Sequence, residues 1–183
     1  MNLTYKIQHD LSESQINLRV ALAFIPIAFL TFIFHEFGHW TLGELTGNDM
    51  RISLNNSSPL NGSYLNDSAA LWSSIGGPMF AILQAFIFTL IVGYSKSIYA
   101  FSVIFFAFFA RFFPIIFGGF RNQDEYRIAE FLKVSPYLIA MLVLTILTTL
   151  VFMSARKCGI KLKYLSYYFI LSTVAILIVI AFV

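Results

Sequence analysis

Residues 32–46 read FIFHEFGHWTLGELT, and the fold turns on how this stretch is placed. It begins as the end of an apolar run, Val20–Phe34, and then sets His35, Glu36 and His39 within the same helical pattern. Titratable side chains in such a run either sit in a soluble core or are sunk in lipid, and composition decides between the two. Of 183 residues, 58% are hydrophobic and 11% are charged, with 21 phenylalanines. A soluble domain carries about 25% charged residues, and a core of this size could not bury so much apolar surface. The solvent for much of the chain is therefore lipid.

Marking each Lys, Arg, Asp and Glu divides the rest into long uncharged runs. A first helix is expected over about residues 18–46, with Gly47 and Asn48 as a left-handed C-cap. Residues 68–95, 97–120 (broken only by Arg111), 134–155 and 164–183 each reach the roughly 20 residues that a span requires. The expected fold class is all-α, a polytopic helical membrane protein of about five spans. It forms one membrane-embedded domain over residues 1–183, with a core at about 18–130 and additional spans at 134–155 and 164–183. Residues 1–17 are polar and lack the pattern of a removable signal peptide.

The connections carry further expectations. Residues 50–65 suggest a small β-hairpin, its strands being Met50–Leu54 and Ser63–Leu65. Residues 112–120, with Pro114, Gly118 and Gly119, suggest a broken or re-entrant segment, tolerated at membrane depth where it is buried in protein or lines a watery cavity. Beyond it, Tyr126, Ile128, Phe131 and Leu132 suggest the apolar face of an interfacial helix. Arg111 is expected to snorkel to the membrane surface. A net charge of +3, scattered along the chain, gives no argument for nucleic acid. One cysteine, Cys158, excludes an internal disulfide framework.

His35 and His39 are four residues apart, so on a helix they project from nearly one face and can bind one ion. Glu36 is rotated by roughly 100° from His35, which suits it to take a proton from water polarised by that ion. Zn2+, one per chain, matches this chemistry because it accepts nitrogen and oxygen ligands and keeps a position open. Ionisable groups inside a span are costly and functional by default. His35 lies 16 residues beyond Arg19, about 24 Å along a helix, which puts the pair in the distal half of the bilayer.

A catalytic zinc wants a third protein ligand. His9 lies on the opposite side of the membrane, Glu44 points about 180° away from His35, and Asp49 and Asp67 adjoin a polar loop. Asp124 remains as the expected third ligand, with Glu125 the second choice. Gly76, Gly77 and Pro78 are expected to interrupt the second span near the metal level and to let a substrate backbone approach. Ile52 and Leu54 are expected to offer a strand edge to an extended peptide.

FHEFGH near the end of an early span, GGP on the next, and an acidic residue after a third resemble the site-2 protease family of intramembrane zinc metalloproteases. The resemblance implies His35 and His39 as zinc ligands, Glu36 as catalytic acid and base, and a membrane-protein or membrane-proximal peptide as substrate. It covers roughly residues 20–130. The chain departs from the family at Ala81, where an Asn is expected three residues after the Pro of Gly77-Pro78. It departs again at Arg111, which stands where Asn-x-x-Pro begins, and at Gly118-Gly119, where Asp is expected. A minimal or divergent member is therefore expected, without PDZ-type or CBS-type domains. The alternative reading is a non-proteolytic membrane protein, either a pseudoprotease scaffold or a metal-binding transport component.

Overall fold

The computed structural model describes residues 3–182. A short helix α1 (Leu3–Glu13) precedes the first long one, α2 (Leu18–Leu45). A two-stranded sheet follows, β1 (Met50–Ser53) and β2 (Asn56–Pro59), and then helices α3 (Asp67–Ser95), α4 (Ile98–Phe117), α5 (Asp124–Leu132), α6 (Pro136–Cys158) and α7 (Leu165–Ala181). Five of these segments, α2, α3, α4, α6 and Leu162–Ala181, are long and apolar enough to cross a membrane. The chain is a multi-pass integral membrane protein of all-α class. The last span ends at Ala181, and Val183 of the expected range lies outside the described residues. Helix α1 had no counterpart in the sequence expectations.

Side chains set the helix starts. Asn17 accepts from the Val20 amide at 3.0 Å, Asn66 from the Ala69 amide at 2.9 Å, and Ser97 from the Ala100 amide at 3.3 Å. Each satisfies an amide that the first helical turn leaves without a backbone partner. At the end of α2, Gly47 takes φ +87 and Asn48 folds back, its side-chain nitrogen donating to the Gly43 carbonyl at 3.1 Å. The expected cap at Gly47 and Asn48 is thus present.

Helix α4 is the central element, with ten of its 20 residues buried, most of them aromatic or small. Around it pack α2, α3, α6 and α7. Edge-to-face aromatic pairs join the layers, with ring centroids 4.8 Å apart for Phe109 and Phe169 and 5.0 Å for Phe101 and Tyr168. On α2 the buried residues Val20, Phe24, Ala28 and Thr31 recur at three- and four-residue steps, and His35 and His39 continue that stripe inward. On α3 the corresponding stripe is made of small residues, Ala69, Ser73, Gly77, Ala81 and Ala85. Lipid gives helices no hydrophobic reason to associate, so small residues that let backbones approach supply the attraction through van der Waals contact.

Three local expectations are corrected. The second strand is Asn56–Pro59, not Ser63–Leu65, because Leu54 and Asn55 close a two-residue turn that pairs Ser53 with Asn56 and Met50 with Pro59. Gly76-Gly77-Pro78 does not interrupt its span, since α3 is continuous from Asp67 to Ser95. Helix α5 does not bury Tyr126, Ile128, Phe131 and Leu132 as one face: Ile128 is buried, Tyr126 and Phe131 are half-buried, and Leu132 is exposed. Asp124, Glu125, Ile128 and Ala129 are its buried residues, and it packs against α3 and α6. In the 112–120 segment, α4 continues through Pro114 to Phe117, and the chain breaks at Gly118 and Gly119, the latter at φ +85. A 3-10 turn at Phe120–Asn122 then turns the chain inward so that α5 starts beside α2 and α4.

Candidate metal centre

The centre is built where α2, α3, α4 and the start of α5 meet. Gly38 and Gly76 bring the backbones of α2 and α3 together, since a Cβ on either would collide with the other's carbonyl. One residue on, a Cβ at Gly77 would run into the rings of both His35 and His39. Gly77 is therefore the floor on which the imidazoles rest. His39 is fixed further by the Ser73 carbonyl, 2.7 Å from its Nδ1. A carbonyl only accepts, so Nδ1 carries the hydrogen and Nε2 of the neutral ring keeps a lone pair toward His35 and Asp124. The Ser73 hydroxyl donates to the His39 carbonyl at 3.1 Å and pairs with the Tyr64 hydroxyl at 3.0 Å.

The two imidazoles stand perpendicular, with Nε2 atoms 3.2 Å apart. Asp124, the first residue of α5, brings Oδ2 to 3.2 Å from His35 Nε2 and 3.4 Å from His39 Nε2. These three residues form a buried or nearly buried group that could hold a metal ion. Asp124 is the acid that the sequence pointed to. Burial by itself would raise its carboxyl, but hydrogen bonds to the two histidines and the nearby charges, Arg111 among them, hold it well below the usual carboxylate range. With both imidazoles neutral and the Asp124 carboxylate ionised, at most one hydrogen, on His35 Nε2, lies among the three facing atoms, which leaves lone pairs opposed across 3.2–3.4 Å. A cation relieves that opposition, so the donor set fits a metal.

Glu125 is not part of this group. It is completely buried and grips Arg111, with Oε1 2.9 Å from Nε and Oε2 2.6 Å from Nη2. Arg111 does not snorkel to the surface: it is 7% exposed and reaches Asp124 Oδ2 from Nη2 at 3.2 Å and His35 Nε2 from Nη1 at 3.2 Å. A lone arginine in an otherwise uncharged span was the available signal, by the same cost argument that singled out the histidines. Gly38, inside FHEFGH, was the second feature the sequence reading passed over. Small residues on two adjoining spans signal close approach.

Glu36 is 7% exposed, and its carboxylate bonds to no other described residue. It lines a cavity of about 380 Å³ together with His35, His39, Arg111 and Asp124. Asn55, Asn56 and Ser57 at the hairpin turn lie on the same cavity, as does Ile176 of α7. The hairpin is bolted to the end of α2: the Met50 amide donates to Glu44 Oε1 at 2.8 Å, and Trp40 Nε1 donates to the Met50 carbonyl at 3.2 Å. Of the residues expected to bind substrate, Gly77 lies against the histidines, Gly76 is buried in the α2–α3 contact, and Pro78 is buried on α3. Ile52 is exposed on β1, and Leu54 packs toward the core. None of these five lines the cavity. No protein-family model, curated protein or solved structure matches the chain.

Proposed function

We propose that this chain is an intramembrane zinc metalloprotease of the site-2 protease type, hydrolysing peptide bonds in or beside the bilayer. One observation carries the reading: three lone-pair donors converge beside a buried carboxylate that is left free at a cavity wall. Donors about 2.0–2.1 Å from a tetrahedral zinc stand roughly 3.3–3.4 Å from each other, which agrees with the separations of 3.2, 3.2 and 3.4 Å. His35, His39 and Asp124 would hold the ion. Bound there, zinc supplies a Lewis acid that acidifies water and polarises a carbonyl.

The remaining chemistry belongs to the chain. Glu36 takes the proton of the attacking water as its oxygen adds to the carbonyl carbon. The same carboxyl returns that proton to the nitrogen as the C–N bond breaks and the amine leaves. His39 keeps its orientation through Ser73. The asparagines and serine of the hairpin turn offer polar partners to an extended backbone entering the cavity.

A second reading has its own observation. Arg111 lies 3.2 Å from both His35 Nε2 and Asp124 Oδ2, so its guanidinium could stand in for a metal and leave a non-proteolytic scaffold. Zinc analysis of the purified protein beside a cleavage assay separates the two. The proteolytic reading expects one zinc per chain in wild type and in Glu36→Gln, cleavage abolished in Glu36→Gln, and both lost in His35→Ala. Undiminished cleavage by Glu36→Gln, or wild type purified without zinc and unable to take it up, sinks the reading.

A further inference from the structure

Arg111 has five N–H donors, and the structure says where they go. Glu125 takes the edge formed by Nε and Nη2, at 2.9 and 2.6 Å, and Asp124 Oδ2 takes the second hydrogen of Nη2 at 3.2 Å. Nη1 has a single neighbour among the described residues, His35 Nε2 at 3.2 Å. That contact competes with metal binding, because the Nε2 lone pair cannot serve both. Once His35 gives its lone pair to an ion, both hydrogens of Nη1 lack an acceptor. They are then left beside the metal donors on a residue that lines the cavity.

We propose that Arg111 is a catalytic residue, its Nη1 binding the oxygen of the scissile carbonyl as negative charge develops there. The inference rests on the proteolytic reading. It assigns a second electrophile, supplied by the side chain that stands where the related pattern has asparagine. Two features favour an oxyanion over a substrate carboxylate. Glu125 fills the Nε–Nη2 edge and Asp124 takes the outer hydrogen of Nη2, so neither two-pronged edge is open to a substrate carboxylate and only Nη1 is left to donate. The guanidinium is also held in place before any substrate arrives, at 7% exposure, where a fixed donor needs no rearrangement as charge builds. Glu125 is then a positioning residue that acts through Arg111.

The test uses the full chain in detergent, loaded with zinc, and two probes. N-phosphoryl-leucinamide presents tetrahedral phosphoryl oxygens that mimic the oxyanion, whereas acetohydroxamate needs only the ion. Because Arg111→Met alone strands the Glu125 carboxylate, the main variant is Arg111→Met with Glu125→Leu, an apolar replacement of the whole pair. The expected result is one zinc per chain, unaltered acetohydroxamate affinity, and phosphoryl-leucinamide binding weakened by about 10²–10³-fold. Arg111→Lys, which keeps charge but cannot hold Glu125 and serve the cavity together, is expected to fall between. Equal phosphoryl-leucinamide affinity in wild type and the double variant overturns the inference. So does a parallel loss of zinc and both probes, which would reduce Arg111 to a clamp on Asp124. Wild type without zinc fails the proteolytic reading itself, and this inference with it.

Discussion

The two walls of the metal centre are held by opposite kinds of force. On the α2–α3 side there is no formal charge at the contact: Gly38 meets Gly76, Gly77 lies under the imidazoles, and a backbone carbonyl fixes His39. On the α4–α5 side almost everything is charge, with Arg111, Asp124 and Glu125 buried against each other. The first wall is stiff where backbone meets backbone, at Gly38 and Gly76, because those atoms have nowhere to move. The second is stiff only while each of its members is present, since a buried charge deprived of its partner is strongly unfavourable. The histidines are thus set by shape and the third donor by electrostatics.

Removing one charge should break the second wall most severely. Glu125→Ala leaves Arg111 buried with only Asp124 to balance it, an expected loss of about 3–5 kcal/mol. Thermal unfolding in detergent, compared with wild type, reads this directly. Arg111→Met added to Glu125→Ala should restore much of the loss by removing the stranded cation. A Glu125→Ala protein that melts with wild type would mean that the ion pair contributes nothing, and the contrast between the walls would collapse.

The first wall breaks differently at two adjacent residues. A methyl at Gly76 meets the carbonyl of Gly38, which is backbone and can yield only by spreading the helices. An overpacking cost of about 1–3 kcal/mol is expected for Gly76→Ala. A methyl at Gly77 meets ring atoms of His35 and His39, and side chains can swing aside. Gly77→Ala should therefore keep most of the fold's stability but weaken metal affinity by about 10–100-fold, the range seen when ligand orientation is lost. Unfolding curves and zinc titrations on the pair sort these outcomes. A reversal, with Gly76→Ala losing metal and Gly77→Ala losing stability, would refute this account of the wall.

These walls also differ in how far they could be read from the chain. The five spans were legible because lipid demands long apolar runs, and charges punctuate them cleanly. His35, Glu36 and His39 were legible because four-residue spacing places two rings on one face. Asp124, with Glu125 as second choice, was reached because Glu44 lay on the wrong face, Asp49 and Asp67 adjoined a polar loop, and Asp124 followed directly on Pro114, Gly118 and Gly119. What could not be read was the use of Arg111 and Glu125. Their pairing joins residues 14 apart in sequence across the break at Gly118 and Gly119, and no helical or strand period links them. The second strand was misplaced for a related reason, because a two-residue turn at Leu54 and Asn55 carries neither Gly nor Pro.

The smallest effect asks whether His39 depends on the Ser73 side chain or on its backbone. Nδ1 donates to the Ser73 carbonyl, which any residue would supply. The hydroxyl instead ties the His39 carbonyl and Tyr64 together. Ser73→Ala should therefore cost about 0.5–1.5 kcal/mol for the lost hydrogen bonds and leave zinc affinity unchanged. Loss of metal in this variant would show that the hydroxyl orients the imidazole and that the wall is a polar one. Unchanged affinity with a small drop in melting temperature would leave shape in control of the histidines and confine charge to the side of Asp124.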